Sequence, residues 1–530
     1  MIKPFHSLLF LAAVAICIAT VSFLFPDGKW QISENWSIQF IKFSDWIDNA
    51  PVSEEQKDVS QFTALAEKIS TQQQLDDSLN STELAIPDTL SNSQQDSLSD
   101  SSWVETDLPP LVFQDSLYTK PIEFADSIQQ TALLQFFAAL EQVRKSKELV
   151  RFLHIGDSQI EGDRITAYLR KKFQQQFGGG GIGLVGITEV NKARTTVHIS
   201  ATSNWKKYAI YGNGDKGTHN QYSVLHSFFR FTPPLKQVSD SIAQPDSVLL
   251  RRLAKLDTND IKKARVTYKF FDKKEKYQFI KVFYRNPTAP FRWKCYLNDS
   301  LAFQGTVKKM AFYDYLQLSV EKPAQQVRIE IEANYSPDIL GVAFDNEVGI
   351  ALDNIPLRGS SGTEITKMSQ SYLAMQLQNL NTKFIIMQFG VNIVPYQRAE
   401  YSFYEKTFYY QLQALKKAAP QADILVVGVS DMSKVIDGKY ASYPNISAIR
   451  EAQRNAAFKA GCAFWDLYEA MGGENAMISW VAAKPPLAAK DYTHFSQKGA
   501  DVVAELLYNA LMSSYKEYLT KTDKLKKKPS

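Results

Sequence analysis

The sequence predicts an α/β protein whose parallel sheet is interrupted by an inserted all-β domain. Three observations carry that expectation. Apolar runs at 149–155, 348–355, 383–390, 423–430 and 462–467 alternate with stretches of helical periodicity, the pattern of a parallel sheet covered on both faces. From about 190 to 345 the texture changes to short aromatic or β-branched runs separated by turn residues, which reads as a β-sandwich. The first apolar run ends abruptly in Gly156-Asp157-Ser158, within "LHIGDSQIEGDR". A strand tip facing a helix start is where α/β proteins hold their ligands.

The elements follow in order. Residues 1–28 are expected to be a cytoplasmic stub and a transmembrane anchor. The run from Ser7 to Phe25 carries no charge, Lys3 precedes it, and Pro26-Asp27-Gly28 ends it. That is long enough to cross a bilayer as a helix, and Lys3 agrees with an N-terminus left inside. The head is then expected in the periplasm, anchored to the inner membrane. Secretion after cleavage is the alternative, although the run ends without a small-x-small cleavage site. Residues 29–110 are expected to be a flexible, low-complexity tether, because Ser, Gln, Asp and Asn dominate 51–110 and cannot bury enough apolar surface to offset the entropy of ordering.

Residues 111–189 form the first part of the α/β domain. Leu133, Leu134, Phe136, Phe137, Leu140 and Val143 mark one helix, which Asp126 or Ser127 can cap. After the Gly-Asp-Ser turn, Ile165, Tyr168, Leu169, Phe173 and Phe177 mark a second. It ends at "FGGGGIG", where glycine suits the left-handed cap, and Asp163 is the residue expected to cap its start. Residues 190–345 are the insert, with "ARVTYKFF", "YQFIKVFYR", "FRWKCYLN", "YLQLSV" and "QVRIEIEA" as its strands. Residues 346–518 complete the α/β domain, with helices near 364–380, 402–418 and 447–460 and a closing helix. A basic tail, 519–530, ends the chain.

Composition bounds the function. The chain has 530 residues, 45% hydrophobic and 22% charged, as in ordinary globular proteins, and room for about two to four domains. A net charge of +4 is too small for a dedicated nucleic-acid binder. The three cysteines (Cys17, Cys295 and Cys462) form no CxxC, and the six histidines show no HExxH, so neither a metal nor another cofactor is indicated.

If Ser158 is a nucleophile rather than a cap, it needs a base, an orienter for that base, and donors for an oxyanion. Outside the β block only His154 and His494 are available. His154 lies within a strand and reads as structural. His494 precedes the closing helix, and Asp491 stands three residues before it, a spacing that can bring a carboxylate to Nδ1 and leave Nε2 free. Gly362 and Asn392 each follow a predicted strand and can supply N–H donors. All five positions fall at one edge of the sheet.

Taken together, Gly156-Asp157-Ser158, Gly362, Gly390-Val391-Asn392 and Asp491-Tyr492-Thr493-His494 resemble the four blocks of the SGNH, or GDSL-type, hydrolases. "HIGDSQIEGDRITAYLRKKFQQQFGGGGIG" and "FWDLYEAMGG" followed by "KDYTHFSQKGA" resemble exported peptidoglycan and polysaccharide O-acetylesterases, over roughly 150–187 and 345–517. The resemblance implies a flavodoxin-like three-layer sandwich. It implies Ser158 as nucleophile, His494 as base, Asp491 as its orienter, the Ser158 and Gly362 N–H groups with Asn392 as oxyanion donors, and Asp157 as support for the turn. It also implies an O-acetylated glycan as substrate and leaves open a link to a membrane-bound O-acyltransferase system. The insert is a candidate carbohydrate-binding module from its position and strand texture. A glycan O-acetyltransferase using the same site, a non-catalytic glycan-binding protein and a lipase are the rival readings.

Overall fold

A computed structural model describes residues 20, 29–33, 36–39, 57–82, 108–113, 120–125, 131–145, 148–189, 194–233, 261–273, 275–286 and 290–526. The chain divides into two units, 1–56 with 433–441, and 57–432 with 442–530. The first contains an antiparallel pair, Lys29–Ser33 with Trp36–Gln39, and the strand Ser433–Ile436. The second holds the α/β sheet and the insert.

Its centre is a five-stranded sheet. We label the strands β1 (Leu149–Gly156), β2 (Gly349–Pro356), β3 (Thr382–Gln388), β4 (Asp423–Val427) and β5 (Ala463–Trp465). Their order is β2-β1-β3-β4-β5, and every pairing is parallel. This is the doubly wound, flavodoxin-like order, which places a crevice where the winding reverses, between β1 and β3. The longer helices are α1 (Ser60–Thr82), α2 (Leu134–Val143), α3 (Thr166–Phe177), α4 (Gln370–Asn379), α5 (Ser402–Ala418), α6 (Ile446–Lys459) and α7 (Gln497–Lys526). Alternation along β1 feeds two cores. Leu153 and Ile155 pack with α4, α5 and α6, while Val150 and Phe152 pack with α1, α2, α3 and α7. A strand buried on both faces needs apolar residues at nearly every position, which is why "LVRFLHI" reads as a continuous run.

Between β1 and β2 the chain makes two antiparallel sheets. One is ordered Ser300–Val307, Phe291–Leu297, Gln326–Ala333, Lys262–Phe270, Val197–Ala201. The other runs Ala311–Ser319, Phe279–Asn286, Asp338–Asp345, Ser227–Arg230, Lys206–Ala209. A third apolar core, including Tyr268, Ile280, Ile329 and Phe344, fills the space between them. Gly183–Val185 also pairs with Asp338–Asp345, so sheet pairing begins earlier than the edge expected at 190.

The insert is fastened to the parallel sheet by buried charge. Arg151 of β1 is 1% exposed and donates to Asp353 of β2 and to Asp345 at the end of the insert, each at 2.5 Å. Asp353 Oδ1 also accepts the Leu184 N–H at 2.8 Å. Asp163 receives both guanidinium nitrogens of Arg170 at 2.9 Å, with Thr196 and Arg194 of the insert behind them.

Three expectations are corrected. Within the expected tether, 60–82 is a helix whose Phe62, Ala66 and Ile69 are buried. Those three residues, at i, i+4 and i+7, form one narrow stripe that the surrounding Gln, Ser and Asp mask in average composition. The closing helix runs on to Lys526, through most of the expected basic tail. Asp163 caps nothing: its carboxylate is taken by the two arginines, and Asp157 caps the turn instead. The apolar run 7–25, apart from residue 20, lies outside the described residues, as do 83–107, 126–130 and 527–530. Among the described residues no helix is long and apolar enough to cross a membrane.

Candidate active site

β1 ends at Gly156, and the chain turns at once. A Cβ on Gly156 would sit 2.6 Å from the Gln388 carbonyl oxygen, so only glycine lets β1 and β3 stay this close at their tips. Asp157 follows, fully buried. Its Oδ1 accepts the Gln159 N–H at 3.0 Å, and its Oδ2 accepts the N–H groups of Gly390 and Val391 at 3.1 and 3.3 Å. One carboxylate thereby fixes the turn after β1 and the loop after β3. Burial pushes its acid up to about 7, against the pull of the Gln159, Val391 and Gly390 N–H donors.

Ser158 opens a short 3₁₀ turn, Ser158–Asp163, and is partly exposed. Its Oγ lies 2.8 Å from His494 Nε2, and His494 Nδ1 lies 2.7 Å from Asp491 Oδ2. The other carboxylate oxygen, Oδ1, accepts the backbone N–H groups of Thr493 and His494, both at 3.0 Å. Burial works to raise the Asp491 acid, but the N–H groups of His494 and Thr493 and the imidazole outweigh it and hold the carboxyl below its usual range. An ionised Asp491 fixes the Nδ1–H tautomer and leaves Nε2 as an acceptor for the serine proton. Gln159 Nε2 donates to the Thr493 carbonyl at 2.7 Å and to Ser430 Oγ at 3.1 Å, tying the histidine loop to the Ser158 turn. Across 336 residues of sequence, serine, histidine and aspartate form one hydrogen-bonded line.

Asn392 Nδ2 donates to the Ser360 carbonyl at 2.8 Å, which uses one of its two amide protons. The loop carrying Ser360 leaves β2 beside the nucleophile turn, because the Leu357 N–H donates to the Gly156 carbonyl at 2.7 Å. Leu357 to Ser360 then form a β-turn closed by Ser360 N–H to Leu357 O at 2.9 Å. Gly359 is its third residue, with φ +79°, as a type II turn requires.

Gly362 stands elsewhere. Its N–H donates to Ser360 Oγ at 2.9 Å, and a Cβ placed on it would meet the Phe389 ring at 2.8 Å. This differs from the oxyanion role expected of it: the donor is already engaged, and the residue faces the core. His154 is fully buried between Gln388 Oε1, 3.0 Å from Nε2, and Thr166 Oγ1, 2.9 Å from Nδ1, a structural position. Trp205 is buried, with Nε1 on the Arg265 carbonyl. Cys295 and Cys462 are free and buried. Among the described residues no three His, Cys, Asp or Glu side chains gather as metal ligands.

No family model matches the sequence, and no curated protein does. Among solved structures, a peptidoglycan O-acetylesterase is similar over 75% of this chain and 99% of its own, at 20% identity and a TM-score of 0.56. The chain shares the fold of that solved esterase. Weaker similarities include a family two carbohydrate esterase from Clostridium thermocellum (9% identity, 48% of this chain and 92% of that one, TM-score 0.23). A carbohydrate esterase family 3 structure from Talaromyces cellulolyticus is another (17% identity, 31% and 72%, TM-score 0.23).

On this fold the switch point of the sheet carries Ser158 after β1 and Asn392 after β3. Sequence reasoning missed Gln159 and Ser360, whose hydrogen bonds join the loops. Neither carries a motif; a glutamine directly after the nucleophile is the only local signal for the first. It also missed that Asp157, expected only to support its own turn, reaches across to the Asn392 loop.

Proposed function

We propose that this chain is a serine esterase that removes O-acetyl groups from a cell-envelope glycan, with peptidoglycan as the favoured polymer. The observation that carries the reading is the line Ser158 Oγ, His494 Nε2, His494 Nδ1, Asp491 Oδ2, with contacts of 2.8 and 2.7 Å. The fold shared with a solved peptidoglycan O-acetylesterase supports the choice of polymer.

Ser158 Oγ attacks the acetyl carbonyl carbon while His494 Nε2 takes its proton. Asp491 stabilises the imidazolium that forms without itself becoming protonated. The negative charge gathers on the former carbonyl oxygen, and donors must wait there. The Ser158 N–H and the second proton of the Asn392 amide supply two. We assign the third to Gly359 rather than Gly362. Gly359 is exposed, its N–H has no acceptor among the described residues, and the Gly362 N–H is occupied. The tetrahedral species collapses as the C–O bond to the sugar breaks, and His494 returns the proton to that sugar oxygen. Water, deprotonated by His494, then attacks the acetyl-serine, and acetate leaves with Ser158 restored. On this reading the apolar run 7–25 holds the head at the inner membrane on its periplasmic side, where the polymer lies and where a membrane-bound O-acyltransferase system would supply the acetyl groups.

The test is acetate release from O-acetylated peptidoglycan and from O-acetylated xylan, with Ser158→Ala as the blank. Faster release from peptidoglycan, absent in the variant, is the expected outcome. Release that persists in Ser158→Ala would sink the reading. Acetyl transfer to added oligosaccharide in preference to water would replace hydrolase by transferase.

A further inference from the structure

A cavity of about 340 Å³ opens where the insert meets β2, the edge strand of the parallel sheet. It adjoins the turn that carries Ser158. Pro356 lines it and pairs in register with Gly156, two residues before Ser158, and Glu161 of the nucleophile turn forms part of its wall. Its size is that of a small-molecule subsite.

Its charges do not balance. Three carboxylates line it, and each has a partner: Glu161 with Arg358 at 3.5 Å, Glu189 with Arg194 at 2.6 Å, and Asp215 with Lys206 at 3.1 Å. Lys207 is left over. It is half-buried, and among the described residues no carboxylate lies within ion-pair distance of it. Its Nζ donates to the Tyr211 hydroxyl at 2.7 Å and lies 5.2 Å from the Tyr211 ring centre and 6.0 Å from that of Phe229. Aromatic faces and one hydroxyl orient an ammonium but do not neutralise it, and a charge withdrawn from water is ordinarily paired. A second lining group is only half satisfied among the described residues. Asn354 is 2% exposed and donates through Nδ2 to the Ile160 carbonyl at 3.0 Å, while its Oδ1 accepts nothing.

We propose that this cavity binds the carboxylate of an acidic sugar unit, on or beside the acetylated sugar, with Lys207 as the partner of that carboxylate. The position of the ester in this picture rests on the esterase reading; binding of the acid does not. Asn354 Oδ1 accepts a hydroxyl or amide hydrogen of the same unit. A single negative charge fits better than a phosphate dianion, because Glu161 and Glu189 share the cavity with one free ammonium. The apolar wall of Phe229, Leu225 and Pro356 suits the C–H face of a sugar ring. The specificity of the protein is then divided: the triad reads the ester, and the insert reads the acid beside it.

The test is equilibrium binding to the full chain carrying Ser158→Ala, so that hydrolysis plays no part. The probes are the disaccharide of N-acetylglucosamine and N-acetylmuramic acid, whose lactyl ether carries a carboxylate, and the neutral N-acetylglucosamine dimer. The acidic probe should bind about tenfold tighter or more, as for a close, partly desolvated charge pair. Adding Lys207→Met should bring the two to parity, whereas Lys207→Arg should keep the preference and show that loss of the charge, not of the fold, is responsible. Equal affinity for the two probes before Lys207 is changed, no binding of the acidic probe, or a preference that survives Lys207→Met overturns the proposal. If the preference depends on Lys207 but no glycan yields acetate in a Ser158-dependent way, the esterase reading falls and the subsite stands.

Discussion

Asp157 is the joint on which the site turns. A buried carboxylate accepting N–H groups from both the Ser158 turn and the Asn392 loop sets the distance between Ser158 and Asn392. Two residues at this scale separate catalysis from folding. On the proposed mechanism Asn392→Ala removes an oxyanion donor and is predicted to lower kcat about a hundredfold or more with little change in KM, read from steady-state kinetics on an acetyl ester. Gly362→Ala is predicted to act through stability instead, because φ is +75° and the Phe389 ring is 2.8 Å from the new Cβ. Its melting temperature should fall, and the protein that remains folded should keep most of its kcat. A wild-type melting temperature with collapsed kcat would return Gly362 to the oxyanion hole. Ser158, Asp491 and His494 were legible because each stands in a short motif at the tip of a predicted strand or before a predicted helix. Gly359 and Gly362 were not separable by sequence, since the same six-residue loop holds both. Only the closing bond of the Leu357–Ser360 turn and the Ser360 hydroxyl tell them apart.

β1 shows what the elements add. Its alternating residues were readable as a buried strand, and so was the structural role of His154 within it. Burial pushes the His154 acid down to about 4, against the pull of its hydrogen bond with Gln388, with Asp163 and Arg170 acting in opposite senses. The folded protein therefore keeps this imidazole neutral, whereas the unfolded chain protonates it near an ordinary pKa of about 6.5. As pH falls from about 6.5 toward 4, the unfolded state alone takes up the proton, so the stability this group contributes is present above that window and lost within it. Denaturant unfolding should show the wild type's advantage over His154→Gln shrinking between about pH 7 and about pH 4.5. A constant advantage across that range would contradict a neutral, buried His154. Helix α1 marks the opposite case. Its apolar stripe is too thin to stand out from a polar background, and its place in the core depends on partners such as Trp480, whose ring lies 5.3 Å from that of Phe62, far away in sequence.

At the scale of the molecule, the insert and the parallel sheet belong to one compact unit. The change of texture after 190 and the return of the α/β rhythm after 345 were readable. The buried ions that join the two parts were not, because Arg151 lies 194 residues from Asp345 and 202 from Asp353. Arg151→Met removes the cation shared by Asp353 and Asp345 and leaves Asp345 only the Lys281 ammonium at 3.9 Å, at a cost of about 3–5 kcal/mol. Urea unfolding should show that loss, together with a second transition as the insert and the α/β domain separate. Unchanged stability would mean that apolar contacts alone hold the insert in place. The coupling matters for function because it fixes the Lys207 cavity against the strand that leads to Ser158.

The central claim is that Ser158 carries the acyl group. Mixing the enzyme with an O-acetylated glycan, quenching in acid during turnover and mapping the peptides by mass spectrometry tests it most directly. An acetyl group on Ser158, absent after His494→Ala and absent from Ser158→Ala, is the predicted result. Acetate released at full rate with no acetyl group on Ser158, or by the Ser158→Ala protein, would contradict it.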